Sequence, residues 1–531
     1  MEALFFTDRA KSSHLPPRTP PLFKKTQPIL GFIAYQAAWF ACVLLAREGF
    51  PWAGSAAMIA YAAAHLALDW EKRSGELAPI ALCAIYGFST DSLLTLAELI
   101  SFAQPTPPIG PSPLWMVALW VGFGATLNHS LSWLGNNYRI SAVVGIFIGP
   151  LAYAGGEGMD LLSFGNEPMW TYAALALQWA IALTLLPAAA AASRSLEWNA
   201  ATVLRRTFTL TQFSILWVIS TLGSPLFIAL TLSADIFRYL TRKVPMTATR
   251  CFATIYVYLF GEVWGMISLF WVWIRCAGDE DELLKRSTHI QTLWASGLFA
   301  ALCRIFQLTV RFEGAERCAP GPIIVMVRHC SHLDTLLPTS FITKPEGIRL
   351  NFVIKKELIW DPCIDIAGQR LNNHFVDRKS SDRAAETQSI AALADNLGPM
   401  EGVMIFPEGT RFTEKRKARA LERIKESRPD LYERAASLKN LLPIRPAGSL
   451  ALLEAGADIV IIGHSGLDAL TTWAQLWKGD LVRKEIQIKV WRTKHSEIPE
   501  GEEARIHWLY DQWDQVDSWL SELSIEDHEH A

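Results

Sequence analysis

The residues best suited to chemistry lie in one short stretch, Arg328-His329-Cys330-Ser331-His332-Leu333-Asp334, between the apolar run Ile323 to Val327 and Thr335-Leu336-Leu337. That run is largely β-branched and too short for a helix, so it reads as a strand ending near His329. The residues after it suit a helix start, with Asp334 on the first turns. In that arrangement a carboxylate folds back on an imidazole, fixes its tautomer and leaves the second ring nitrogen to take a proton from a hydroxyl. The same spacing also suits a polar loop whose aspartate caps backbone amides. Cys330 reads as a small filler inside the stretch, not as a nucleophile.

A second strand-like run, Val403-Met404-Ile405, leads into Phe406-Pro407-Glu408-Gly409-Thr410-Arg411. Proline ends the strand's pairing, and Gly409 allows close approach of backbone to a ligand. Thr410 and Arg411 supply a hydroxyl and a planar, permanently charged fork, groups suited to a phosphate monoester. Lys356, in Phe352-Val353-Ile354-Lys355-Lys356-Glu357-Leu358, and Arg378, in Phe375-Val376-Asp377-Arg378, add cations after further apolar runs. Leu442-Pro443-Ile444 closes the series.

Taken together, these segments resemble the glycerolipid acyltransferase family that acylates lysophosphatidic acid, the PlsC-like family. The likeness covers roughly Leu308 to Gly466, with the blocks in family order: the His-x4-Asp pair at His329 and Asp334, Lys356 to Leu358, Phe375 to Arg378, Phe406 to Arg411, and Pro443. It departs in one place, since Arg328 stands where the family commonly has asparagine. The resemblance implies direct transfer of an acyl group from acyl-CoA or acyl carrier protein to the free hydroxyl of a lysophospholipid, foremost 1-acylglycerol-3-phosphate. His329 would be the general base and Asp334 its orienting partner. Glu408, Gly409, Thr410 and Arg411 would hold the glycerol phosphate, with Lys356 and Arg378 as further phosphate candidates. No metal, nucleotide or prosthetic group is required.

Two rival readings exist. A serine hydrolase is hinted at by Gly463-His464-Ser465-Gly466, but the nucleophile elbow needs glycine where Leu467 stands. A lipid transport or assembly protein with an inactive acyltransferase-like half is the other, and the completeness of both motif blocks speaks against decay of the site.

The positioning elements come from the rest of the chain. Its 531 residues exceed one ordinary domain, 51% are hydrophobic, only 19% are charged, and mean hydropathy is +0.19 with 21 tryptophans. These values point to an integral membrane protein. A net charge of -3 gives no case for nucleic acid. Eight cysteines without paired spacing indicate neither a disulfide framework nor a zinc site, and fit a reducing compartment.

Eight spans are expected: 29–46, 52–68, 80–102, 114–134, 140–154, 170–192, 213–232 and 252–274. Lys72, Arg73, Arg139, Arg194, Arg205 and Arg206 follow alternate spans, and the loops 104–113 and 155–168 lack Lys and Arg. This fits a cytoplasmic start. Arg238, Arg242, Lys243 and Arg250 break the alternation, and Gly223-Ser224-Pro225 inside the seventh run suggests a re-entrant or interfacial hairpin.

The expected architecture is therefore an α/β acyltransferase domain, a mostly parallel sheet flanked by helices, behind a polytopic helical membrane domain. Residues 1–27 read as a flexible basic cytoplasmic tail and 28–195 as six spans. The segment 196–290 reads as a second membrane segment, 291–500 as the acyltransferase domain, and 501–531 as an amphipathic helix with an acidic tail. Within the acyltransferase domain, 292–306 reads as an interfacial amphipathic helix, with a ninth span as the alternative, and the charged run 414–439 as one inserted helix. The six-span part also resembles a bacterial inner-membrane family of unknown function, through Trp115 to Leu134 and Gly149-Pro150-Leu151. The expected location is the bacterial inner membrane, with catalysis on the cytoplasmic side. His65, Asp69, Asp91, Asn128 and His129 stand in apolar runs, where ionisable groups are costly and often functional; they read either as wet residues near span ends or, if they cluster, as a lipid head-group or proton site.

Overall fold

Long apolar runs become helices because in hydrocarbon a helix satisfies its own backbone polar groups. In the computed structural model, which describes residues 21–68, 73–103, 110–136, 138–193, 200–276, 279–377, 382–470 and 473–529, the chain forms two units. One comprises residues 1–199 with 273–279, the other 200–272 with 280–531.

The first unit carries α1 (Pro21–Arg47), α2 (Pro51–Leu68), α3 (Arg73–Leu96), α4 (Leu114–Thr126), α5 (Tyr138–Glu157) and α6 (Pro168–Ser193). Two short antiparallel strands, β1 (Ile100–Phe102) and β2 (Leu162–Phe164), pair between the helices. Helices α5 and α6 lie close because glycines face the tryptophan of the partner helix. A Cβ at Gly145 would meet the Trp179 carbonyl oxygen at 2.3 Å, and one at Gly149 would meet the Trp179 ring at the same distance. Small residues give membrane helices this close packing. Asp91 is fully buried and accepts hydrogen bonds from Trp120 Nε1 (2.9 Å), Tyr153 Oη (2.5 Å) and Gln178 Nε2 (2.8 Å), so both its oxygens have partners inside the bundle. His65 and His129 gather elsewhere, on Glu76. The polar residues singled out by sequence thus fall into two separate groups, and Asp69 lies outside the described residues.

Among the described residues, five helices are long and apolar enough to cross a membrane: Ile29–Arg47, Gly75–Leu96, Tyr138–Glu157, Pro168–Ser193 and Thr247–Cys276. This marks a membrane protein, with a sixth span if the bent pair described below counts as one, and the expected eight are not confirmed among the described residues. The run 114–134 yields a helix of only 13 residues, about 20 Å long against about 30 Å of hydrocarbon. The seventh run breaks at Gly223 into α7 (Ala200–Leu222) and α8 (Ser224–Arg242), bent by 70°. Pro225 sits in the first turn of α8, where its missing N–H costs nothing, next to Gly223 at the break.

In the second unit, α7 and α8 are followed by α9 (Thr247–Cys276, to Val272 within this unit) and α10 (Glu280–Phe306). The apolar pattern starts α10 at Thr292. The helix begins earlier, where Glu280, Asp281 and Glu282 suit the positive end of its dipole. Its face Ala295, Leu298, Phe299, Leu302 and Phe306 is buried within the unit, and the Phe299 ring packs edge-on against Phe341. Helix α10 is not among the described helices long and apolar enough for a ninth span.

A seven-stranded sheet organises this unit: β3 (Thr309–Glu313), β4 (Ile323–Val327), β5 (Arg349–Lys355), β6 (His374–Val376), β7 (Glu401–Ile405), β8 (Asp458–Ser465) and β9 (Glu485–Thr493). Their order is β3-β9-β8-β4-β7-β5-β6, parallel throughout except for the β8–β9 pair. All five residues of β4 are buried, as expected of a central strand covered on both faces. The charged run 414–439 does not form one helix: it breaks at Pro429 into Glu414–Ser427, a short turn and Tyr432–Ser437. The last helix, Glu502–Glu529, packs Ile506, Leu509, Tyr510, Trp513, Val516 and Leu520 into the core beneath the sheet. Trp513→Ala should therefore destabilise the fold by about 3–5 kcal/mol, read as a lowered unfolding midpoint. Ile525→Ala, at an exposed position of the same helix, should leave the midpoint unchanged.

Candidate active site

The chain leaves β4 at Arg328, whose amide still donates to Ile462 O of β8 (3.1 Å). Its buried guanidinium donates to Asp468 Oδ1 (2.6 Å) and Oδ2 (3.1 Å), to His464 O (2.6 Å) and to Asn440 O (3.2 Å). The residue that departs from the family pattern therefore joins the ends of β4 and β8 to the loop before Leu442. His329 follows. Its Nδ1 donates to Asp334 Oδ2 at 3.0 Å, and the same oxygen accepts the amides of Cys330 (2.6 Å) and Ser331 (2.9 Å). Orienting an imidazole and capping backbone amides are alternatives by spacing alone; in the structure one carboxylate oxygen does both.

Asp334 lies in a tight turn, Leu333–Leu336. Burial alone would raise its pKa. The hydrogen bond from His329, the neighbouring imidazoles and the Ser331 amide outweigh that and hold the carboxyl below its ordinary value. It is therefore ionised at neutral pH and sits as an acceptor facing His329 Nδ1.

The second motif fastens His329 by its backbone. Glu408 Oε1 accepts the His329 amide (2.9 Å), and the Phe412 amide donates to the His329 carbonyl (2.8 Å). The Phe406 ring stacks on the imidazole, centroids 4.0 Å apart. Glu408, which the motif groups with the phosphate-binding residues, is instead buried, with Oε2 accepting the Leu442 amide (3.2 Å), so it ties both motifs to the Leu442-Pro443 segment. Gly409 has φ +66°, and a Cβ there would come within 2.8 Å of Arg445 Cδ. The tight turn thus requires glycine, apart from any approach to a ligand.

His329, Thr410 and Arg411 line one cavity of about 910 Å³. Its other polar wall residues include His332, Lys355 and Arg416, and its apolar wall includes Trp294, Leu298, Leu302 and Phe306 of α10. Arg416 also donates to the Arg411 carbonyl (3.0 Å), which fixes the turn between the motif and the helix Glu414–Ser427. Burial and then the Arg416 charge push the Arg411 guanidinium below its ordinary pKa. Two crowded cations of this kind favour an anion between or beside them.

Of the remaining sequence candidates, Lys356 pairs with Asp377 (2.9 Å) and is not on the cavity wall, which takes Lys355 in its place. Arg378 lies outside the described residues. Arg416 is hidden in a run that reads as a solvated face, and its signal is proximity to Arg411 along the first helical turn. His464, which in sequence is only part of a failed hydrolase elbow, is fully buried in β8 and faces Arg328 O (3.1 Å) and Asp334 Oδ2 (3.9 Å).

The buried Glu408 gives a test by pH. Burial outweighs the amides of His329 and Leu442 and pushes its pKa from 4.5 to about 8. Between those values the folded chain holds a proton that the unfolded chain releases, so stability falls as pH rises through this window. Thermal unfolding midpoints from pH 4.5 to 8 should decline less steeply in Glu408→Gln than in the unaltered protein.

Comparison with known proteins agrees with the motif reading. Residues 309–460 match the family model described as acyltransferase, and residues 28–185 match one described as a protein of unknown function, DUF2878. No curated protein matches the chain. Among solved structures, the 1-acyl-sn-glycerophosphate (LPA) acyltransferase PlsC from Thermotoga maritima is similar at 17% identity, covering 52% of this chain and 96% of that one, with a TM-score of 0.37. The chain thus joins an acyltransferase domain at 309–460 to an N-terminal domain of a family without assigned function, the fusion that the motifs imply.

Proposed function

We propose that this protein transfers an acyl group from acyl-CoA or acyl carrier protein to the free hydroxyl of a lysophospholipid, foremost 1-acylglycerol-3-phosphate, giving phosphatidic acid. The observation that carries the proposal is that a carboxylate-oriented histidine and an arginine from distant motifs line one cavity whose wall holds both cations and apolar side chains. Such a cavity suits a substrate with an anionic head and an acyl tail.

In this reading His329 Nε2 takes the proton of the glycerol hydroxyl as its oxygen attacks the thioester carbonyl. The new C–O bond gives a tetrahedral oxyanion. Collapse breaks the C–S bond, and the imidazolium returns the proton to the leaving thiolate, giving ester and free thiol. Asp334 stabilises the imidazolium between these steps. Arg411 and Thr410, with Arg416 and Lys355 beside them, hold the phosphate; Arg378 stays a candidate, and Lys356 is better read as the structural partner of Asp377. No metal or prosthetic group is required by this chemistry. The setting is the bacterial inner membrane with the cavity served from the cytoplasm, where both acyl donors are made.

His329→Ala should lower turnover by about 10²- to 10⁴-fold while lysophosphatidate binding persists, measured with labelled acyl-CoA in membranes and by direct binding to the purified protein. Retained turnover would reject the base assignment. Arg411→Ala should chiefly raise the lysophosphatidate KM, with kcat less affected. A fall in kcat alone would remove Arg411 from phosphate binding.

A further inference from the structure

The N-terminal unit holds a cluster that acyl transfer does not use. His65 stands near the end of α2, Glu76 in the first turn of the candidate span Gly75–Leu96, and His129 in the turns after α4. Three elements thus bring two imidazoles and one carboxylate to one end of the bundle. His65 Nε2 faces Glu76 Oε2 at 3.5 Å, and His129 Nε2 faces Glu76 Oε1 at 3.3 Å. The rings meet edge-on, centroids 4.5 Å apart at 86°, and one donor atom from each of the three residues lies within 4.8 Å of the others.

The His65 contact is a hydrogen bond at the long limit. A charged N–H to carboxylate hydrogen bond closes to about 2.7–2.9 Å, and both contacts are longer. Bonds of about 2.0–2.1 Å from a tetrahedral metal to nitrogen or oxygen put neighbouring ligand atoms about 3.3 Å apart, close to the 3.3 and 3.5 Å of the two imidazole–carboxylate contacts. The carboxylate is nearly buried, and the His129 side chain is 27% exposed with its Nε2 turned inward. The turn bearing Glu76 is itself held: the Gly75 carbonyl accepts Ser193 Oγ at 2.8 Å and Asn128 Nδ2 at 3.4 Å. A rigid backbone behind a ligand is what a metal site needs.

We propose that His65, Glu76 and His129 bind a divalent transition metal of the zinc class. Two imidazoles and a carboxylate favour such an ion over magnesium or calcium, which prefer all-oxygen shells. Three protein ligands leave a fourth position for water or an oxygen of a bound substrate, the coordination of a reactive rather than a purely structural site. Spacing along the sequence conceals this set, because its members lie on separate elements.

The test uses the full chain, purified in detergent with a tag free of histidine, stripped with chelator and dialysed against Zn²⁺ or Co²⁺. About one Zn²⁺ per chain should remain, and the Co²⁺ form should show the visible absorption of a tetrahedral site. Glu76→Gln and His129→Ala should bind roughly tenfold more weakly or worse, while His528→Ala with His530→Ala retains the metal. An unaltered protein that takes up no Zn²⁺ and shows no tetrahedral Co²⁺ spectrum contradicts the site, whether or not the variants fold. Stoichiometric binding that survives in folded Glu76→Gln and His129→Ala contradicts it equally.

Discussion

The acyltransferase half depends on how two peptide groups of His329 are held. Its amide goes to the buried Glu408 carboxyl and its carbonyl to the Phe412 amide, so the loop after β7 grips the loop after β4 on both sides. Glu408 reaches on to Leu442, which brings the third motif into the same fastening. With the main chain fixed, Asp334 needs only to set the ring, and Phe406 covers its face. Positioning of this kind converts two weak sequence signals into one site, because a reacting group misplaced by about 1 Å loses much of its effect.

Much of this half is legible in the sequence. Short apolar runs at 308–312, 323–327, 351–354, 403–406, 458–462 and 486–491 read as strands, and the structure places strands at each. The final helix is visible in Ile506, Leu509, Trp513, Val516 and Leu520, all of which are buried. The His329–Asp334 contact is legible only as one of two readings, since the spacing suits amide capping equally, and in the structure Asp334 Oδ2 does both. What spacing cannot show is direction. Glu408 and Arg411 stand in one motif, but one side chain turns into the protein and the other lines the cavity. Lys355 and Lys356 are neighbours of opposite orientation, and only alternation at the end of β5 separates them.

The membrane half is legible as composition and less so as geometry. Hydropathy locates the helices, but it does not tell a full span from the 13-residue α4 or fix the bend at Gly223. Nor does it group the buried polar residues. Asp91 is satisfied by Trp120, Tyr153 and Gln178, whereas His65 and His129 converge on Glu76, a residue that no motif or spacing singles out. Arg205 and Arg206, which read as topology signals, also serve the fold, because both pair with Asp365 and join α7 to the helix Pro362–Arg370 of the same unit.

Whether Glu408 works by fastening His329 is tested most directly by a double-mutant cycle. Acyl transfer to lysophosphatidate is measured for Glu408→Gln, His329→Ala and the combined variant. If Glu408 acts through His329, its substitution costs activity in the unaltered protein and little more once the imidazole is gone, a coupling well above the roughly 0.3–0.5 kcal/mol scatter of independent sites. Losses that simply add would contradict the fastening and make Glu408 a residue of the fold alone.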